Sequence, residues 1–318
     1  NGTGKIDFSN KIKGSNAPSR AKRAVKKGDI LFSTVRPNLK AYGYVEREDF
    51  DCCVASTGFA VISAKNMVLS KYVYYMLYSE PVQAQLASMM GKGAYPSVNQ
   101  KDVSQIQIPL PPLSVQEKVV TEIDRYQKII NGTKQITDNY LPAVSTSASW
   151  PVVKLGMVFK LASGKGLPTK NRFDGPYNVY GGNGITGKHS EYFVDSPTLT
   201  IGRVGEYCGA AHITSSKCWI TDNALMVTEY LTEVNPEYLE AIINQIDLNQ
   251  YAKVGGQPSI SQSTVYNVPI PLPNIDVQNS IASQIRYEKS IIQQNKKLAE
   301  IFVQKITDII NNVWGITK

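Results

Sequence analysis

Histidine and cysteine are scarce in this chain of 318 residues, which holds two of the first (His189 and His212) and four of the second. Cys52 and Cys53 are adjacent and no C-x-x-C occurs, so the thiols form neither a disulfide framework nor a zinc-knuckle spacing. Cys208, His212 and Cys218 lie in apolar, strand-like text and read as buried or hairpin residues, so no metal is expected. No apolar run approaches the ~20 residues that a membrane helix needs. The opening Asn1-Gly2-Thr3-Gly4-Lys5 carries no apolar stretch of the signal-peptide kind. The expectation is a cytoplasmic chain with reduced thiols and no membrane partner. No Ser-His-Asp set can be assigned from spacing. Gly164-Lys165-Gly166-Leu167-Pro168-Thr169-Lys170 breaks the phosphate-loop spacing and reads as a turn.

Hydrophobic residues make up 42% of the chain and charged residues 19%, a globular composition whose length suits two domains. Lysine and arginine number 34 against 26 acidic residues, a net charge of +8. That excess favours a polyanionic partner, although charge alone does not separate nucleic acid from an acidic membrane face.

Self-similarity organises the rest. Gln105-Ile106-Gln107-Ile108-Pro109-Leu110-Pro111-Pro112-Leu113-Ser114-Val115-Gln116 aligns with Asn267-Val268-Pro269-Ile270-Pro271-Leu272-Pro273-Asn274-Ile275-Asp276-Val277-Gln278, an offset of 162 residues from Ile108 to Ile270. Tyr95-Pro96-Ser97-Val98-Asn99 lies over Gln257-Pro258-Ser259-Ile260-Ser261. Further upstream the run Gly28 to Arg36 resembles Pro197 to Arg203, and Cys53 to Val61 resembles Trp219 to Val227, with small drifts of the kind that loop insertions produce.

Each copy has the same order of parts: short β-branched runs, a helix (Lys71–Tyr78 or Pro236–Ile243), a glycine-bearing loop, then a strand that runs into a Pro-Leu-Pro segment. After that segment the apolar period becomes helical. Val115, Val119, Ile123, Tyr126 and Ile130 mark the first copy, and Val277, Ile281, Ile285, Ile292, Leu298, Phe302, Ile306 and Ile309 the second. Asp276 reads as the N-cap of the second helix, with Ser114 in the matching place. About 28 helical residues give a rod of ~42 Å. A stripe this narrow predicts pairing with the other copy's helix, and pseudo-symmetry makes that pair antiparallel. Packing of each helix on its own domain is the alternative.

The paired Ile-Pro-Leu-Pro-x-[Leu/Ile]-x-Val-Gln segments, each opening a long helix, resemble the DNA-specificity (S) subunits of type I restriction-modification systems. Gly28-Asp29-Ile30-Leu31 and Tyr180-Gly181-Gly182-Asn183-Gly184-Ile185-Thr186-Gly187 add to that resemblance, which covers essentially the whole chain. It implies an α+β fold: two pseudo-repeated α/β target-recognition domains joined by two long helices forming an antiparallel coiled coil. The boundaries expected are 1–112 for the first recognition domain, 113–149 for the first helical region and linker, 150–274 for the second domain and 275–318 for the second helical region. Copy two opens with Trp150-Pro151-Val152-Val153-Lys154-Leu155-Gly156. Copy one has nothing that matches, so its first domain reads as N-terminally incomplete.

The resemblance implies a non-catalytic subunit that recognises double-stranded DNA, reading a bipartite target with the helices as a ruler. Methyltransferase subunits would dock on the helical regions and bring S-adenosylmethionine, no cofactor being bound by this chain, and motor-nuclease subunits would join them. The alternative is the C-terminal recognition portion of a single-chain DNA adenine methyltransferase. The chain itself has neither the glycine-rich cofactor loop nor the acidic-Pro-Pro-aromatic segment of such an enzyme.

A reader of duplex DNA needs cations along phosphates and forked donors or amides on base edges. Lys22, Arg23 and Lys26 are candidates for the first role. Arg36, Asn38 and Lys40 follow one strand directly, and Arg203 and Tyr207 follow its counterpart. Lys165, Lys170, Asn171, Arg172, Tyr180, Asn183, Lys188 and His189 make a basic, amide and aromatic cluster. The late loops add Lys92 and Tyr95 in copy one, and Lys253 and Gln257 in copy two.

Overall fold

The computed structural model describes residues 6, 12–46, 53–65, 67–91, 96–253 and 256–316. Its contacts divide the chain into two compact units, one of residues 1–138 with 295–318 and one of residues 139–294. Each unit therefore takes in part of the chain's last helix.

In the first unit, β1 (Ala21–Val25), β2 (Ile30–Ser33), β3 (Tyr42–Tyr44), β4 (Cys53–Ser56) and β5 (Phe59–Ile62) precede α1 (Ser70–Met76), α2 (Glu80–Met89), α3 (Gln100–Ser104) and α4 (Leu113–Asn139). The strands form an antiparallel sheet in the order β3-β2-β5 and a β1-β4 ribbon. Ile30 and Phe32 point from the central strand into a core closed by Tyr42, Leu77, Val82 and Leu86.

The second unit holds β6 (Val152–Lys154), β7 (Phe159–Ser163), β8 (Tyr177–Gly181), β9 (Gly184–His189), β10 (Leu199–Gly202), β11 (Ala211–Ile213), β12 (Trp219–Ile220) and β13 (Ala224–Tyr230). After them come α5 (Pro236–Ile246), α6 (Gln262–Tyr266), β14 (Pro269–Pro271) and α7 (Ile275–Val313), whose residues from 295 onward belong to the first unit. Its sheets run β11-β10-β13-β7, β12-β8-β9 and β14-β6. Every residue of β10 is buried, and Leu199 and Ile201 pack with Phe159, Leu225, Leu239 and Ile242. Asn235 starts α5, its side-chain oxygen accepting from the amides of Glu237 and Tyr238, with Pro236 in the first turn where its missing N–H costs nothing.

The repeat is built into the hydrogen bonds. Ile30, Leu31 and Phe32 pair with Tyr44, Gly43 and Tyr42, just as Leu199, Thr200 and Ile201 pair with Ile213, His212 and Ala211. Val98 donates to the carbonyl of Thr34 as Ile260 donates to that of Arg203, and Arg36 donates to Pro96 as Gly205 donates to Pro258. The structural counterpart of Arg36 is thus Gly205, and that of Arg203 is Thr34. The two strand-end arginines do not occupy equivalent positions.

The Pro-rich segments are held alike. Tyr72 Oη donates to Pro109 O (2.8 Å) and Tyr238 Oη to Pro271 O (2.6 Å). Gln116 accepts from Leu69 N (2.9 Å) and donates to Pro111 O (2.8 Å). Gln278 accepts from Asn235 N (3.0 Å) and donates to Pro273 O (2.7 Å). Both glutamines are buried, because each satisfies main-chain groups that no ladder reaches.

Three expectations need correction. Asn274, not Asp276, caps α7, its Oδ1 accepting from Val277 N (3.0 Å). Pro112 holds the matching place before α4, and Ser114 and Asp276 both lie inside the first turn. Among the described residues the Pro-Leu-Pro segment forms a strand in the second unit alone, where Ile270 pairs with Val153. Residues 107–109 have no such partner among the described residues and are not a strand.

Within the first unit α4 and the distal part of α7 run antiparallel. Tyr126 stacks on Phe302 with ring centroids 5.1 Å apart, while the earlier Val119 and Ile123 cluster with the later Ile306, Ile309, Ile310 and Val313. The same cluster takes in Tyr72, Tyr75 and Met76 of α1, so α4 packs on its own domain as well as on the other long helix. In the second unit Tyr140 Oη donates to Glu288 Oε2 (2.7 Å), and Arg286 and Lys289 of α7 pair with Glu237 and Glu240 of α5.

Replacing Gln278 by Leu strands the Asn235 amide and the Pro273 carbonyl, each a loss of about 1–3 kcal/mol when buried. Urea unfolding is expected to show the second unit destabilised by about 2–4 kcal/mol, and Tyr238→Phe, which strands one acceptor, by about 1 kcal/mol.

Candidate nucleic-acid interface

Strand ends and one hairpin turn of the second unit converge on two adjoining open depressions. One is lined by Gly182, Asn183, Val204, Gly205, Glu206, Tyr207, Asn223 and Gln257. The other is lined by Arg203, Val204, Asp222, Asn223, Lys253, Ser259, Ile260 and Ser261. They share Val204 and Asn223, so the fold brings together Asn183, Arg203, Tyr207, Lys253 and Gln257, five of the residues singled out above.

The backbone is packed tightly here. Gly202, the last residue of β10, lies so close to the β8–β9 turn that a Cβ on it would stand 1.9 Å from the carbonyl oxygen of Gly182. Gly184 has φ +76°, a left-handed value that favours glycine, and lies over the His212 ring. Asn183, between Gly182 and Gly184, is therefore carried on a fixed turn. Its Oδ1 lies 3.3 Å from His212 Nε2. Burial holds the His212 pKa below the usual imidazole value, against the pull of Glu240, so the ring is neutral at neutral pH.

Around this turn the side chains offer several kinds of recognition chemistry. Arg203 presents a guanidinium whose Nη1 donates to Ser163 Oγ (3.3 Å), leaving further donors at the rim. Gln257 and Asn223 add amides, Lys253 adds a cation, and Tyr207, 58% exposed, adds a ring face. Glu206 and Asp222 are the acidic members, acceptors suited to an amino group on a base edge.

Other candidates lie elsewhere on the unit. Lys165, Lys170, Asn171 and Lys188 are exposed but line neither depression. Lys165 stands over the Phe193 ring at 4.4 Å. Arg172 is turned back onto β9, its Nη1 donating to the Thr186 carbonyl (3.3 Å). Two assignments are corrected outright. Tyr180 is buried and its hydroxyl accepts from Ser215 N (2.8 Å). His189 is buried beside Trp219, its Nδ1 accepting from Phe173 N (3.1 Å). Both side chains are buried and engaged in internal contacts.

In the first unit Lys22, Arg23 and Lys26 lie on or just after β1, with Lys22 and Lys26 exposed and Arg23 half-buried. Arg36 and Lys40 flank the one-turn helix Pro37–Leu39, both with left-handed backbone (φ 50° and 52°), and Asn38 is exposed between them. Two non-glycine residues held in that region mark a loop whose shape is imposed by its surroundings. Lys92 and Tyr95 lie outside the described residues.

The sequence does not reveal His212 as a neighbour of Asn183, and Glu206, Asp222 and Asn223 are not among the site residues it points to. His212 stood out only as one member of a doubtful metal spacing. Among the described residues no group of three His, Cys, Asp or Glu side chains is placed to hold a metal ion, and no helix is long and apolar enough to cross a membrane.

The two units repeat one module, with matched strand pairings and matched proline-rich segments held by tyrosine and glutamine side chains. Over residues 3–139 and again over 148–301 the chain matches the family described as the type I restriction modification DNA specificity domain, and it belongs to that family. It is 33% identical over 106 residues to the type I restriction enzyme HindI specificity subunit of Haemophilus influenzae, covering 32% of this chain and 23% of that one. It is 28% identical over 134 residues to the EcoprrI specificity subunit of Escherichia coli, covering 41% and 33%. The matched region thus spans a third or less of those relatives.

Among solved structures, a chain from work on complex assembly and conformational transition of the type I R-M system aligns with a TM-score of 0.64 at 21% identity, covering 96% of this chain and 86% of that one. The type I restriction-modification S subunit from M. genitalium aligns at 0.54 and 15% identity, covering 92% and 84%. These two likenesses are of fold.

Gly202→Ala drives a methyl into the Gly182 carbonyl. The expected result is a stability loss of about 1–3 kcal/mol in urea unfolding, together with a shift of the Asn183 and His212 resonances in NMR spectra.

Proposed function

We propose that this chain is the DNA-recognition subunit of a type I restriction-modification complex, each unit reading one part of a two-part duplex target. The observation that carries the reading is the convergence of Asn183, Arg203, Tyr207, Lys253 and Gln257 on adjoining depressions of the second unit. Guanidinium and amide groups recognise base edges, lysines neutralise phosphates, and a net charge of +8 draws the duplex in. Membership of the specificity-domain family supports the same assignment.

The chain then performs no bond-making itself. Methyltransferase subunits, which bring S-adenosylmethionine, and restriction subunits act on DNA that this chain has located, in the cytoplasm. The relatives named as specificity subunits support that division of labour. Exposed apolar side chains on α7, Tyr287 in the second unit and Ile301 and Val303 in the first, are suited to docking the methyltransferase subunits.

Titration of the chain with duplex DNA at rising salt tests this. The expected plot of log affinity against log salt is linear and steeply negative, about 0.9 per phosphate contacted. Lys253→Ala is expected to weaken all duplexes alike and lower the slope by about one contact. Arg203→Ala is expected to relax the choice of base at one position, at about 1–3 kcal/mol. Binding that is indifferent to salt removes the proposal.

A further inference from the structure

At the surface of the second unit, Asn183 is an amide whose two ends the protein itself distinguishes. Its oxygen faces His212 Nε2 at 3.3 Å. A carboxamide oxygen only accepts, so a hydrogen bond here requires the Nε2–H tautomer of the neutral ring. The amide nitrogen makes no hydrogen bond among the described residues. The turn has little freedom to reverse this arrangement. Gly182 abuts the Val204 carbonyl, Gly202 abuts Gly182, and Gly184 lies on the His212 ring itself. The His212 main chain is held as well, its carbonyl accepting from Thr200 Oγ1 (2.9 Å) in the buried strand β10.

An unrestrained asparagine suits adenine, accepting from N6 with its oxygen while donating to N7. Asn183 has its oxygen turned towards His212, and its NH2 is the end left without a protein partner among the described residues. Guanine presents two acceptors in the major groove, O6 and N7, whereas adenine sets an amino donor beside N7. The NH2 meets two acceptors in the first case; in the second it meets one acceptor, N7, with an amino donor beside it.

We propose that His212 is a positioning residue for sequence readout, occupying the Asn183 carbonyl so that the side-chain NH2 selects guanine over adenine at one base pair of the target. The inference deepens the DNA-recognition reading above and rests on it.

The test uses the full chain assembled with its partner subunits and a duplex library in which every base pair of the target is varied in turn. Wild type is expected to prefer guanine to adenine by about tenfold at one position served by the second unit. His212→Phe keeps a ring beneath Gly184 but removes the donor. It is expected to abolish or invert that preference while leaving the other positions unchanged. Asn183→Ala, a change at an exposed turn, is expected to erase discrimination at the same position. The free chain is expected to show the Nε2–H tautomer of His212 in its ring nitrogen shifts.

An Nδ1–H tautomer overturns the inference. So does a His212→Phe complex that binds sequence-specifically with the wild-type preference, or one whose affinity falls equally for all duplexes. Either of these leaves the recognition role standing. A wild-type complex with no base preference at any position removes the recognition role and the inference together.

Discussion

Proline supplies a carbonyl without an N–H, and this one deficit shapes both halves of the molecule. The segments that lead into the long helices are rich in proline, at 109, 111 and 112 and at 269, 271 and 273. A ladder holds such a segment only in part, as β6 does for β14, since its prolines donate no N–H. Its carbonyls still require donors wherever they are buried. Tyrosine hydroxyls from α1 and α5 and glutamine amides from α4 and α7 provide them, at the same places in both units. One set of side chains therefore ties the globular part of each unit to the start of its long helix. The position of the loops relative to the helix depends on it.

Much of this was legible in the chain. Pairs such as Gln116 with Gln278 and Pro109 with Pro271 stand at a constant offset, because the contacts that hold them are local and repeated. The long helices followed from the change of apolar period, and α1 and α5 fell where Tyr72 and Tyr238 lie. What escaped notice was mostly a matter of distance along the chain. Asn183, Arg203, Asn223 and Gln257 meet because β10 is placed centrally between β11 and β13, an order that periodicity does not specify. The equivalence of Arg36 with Gly205 was hidden because two arginines suggested a different alignment, and only the hydrogen bonds to Pro96 and Pro258 decide the register. Tyr180 and His189 belong to the candidate cluster by residue type and position in the chain, whereas the main-chain amides of Ser215 and Phe173 claim them.

The recognition surface is thus assembled from two kinds of constraint. Close-packed glycines at 182, 184 and 202 fix where the turn goes, and they tolerate little change. The side chains projecting from that frame are polar, largely exposed and chemically mixed, with cations, amides and carboxylates side by side. Affinity for a polyanion depends chiefly on the number of cations that reach phosphates, while choice among sequences depends on the pattern of donors and acceptors. The frame determines neither quantity directly; it determines how reproducibly the pattern is presented.

Position 36 in one copy and position 205 in the other have the same main-chain bond to a proline carbonyl and the same left-handed turn, yet one bears arginine and the other bears no side chain. Duplication evidently preserved the hinge of the loop and released its cargo. What stands at that position can therefore change while the bond that shapes the loop stays the same.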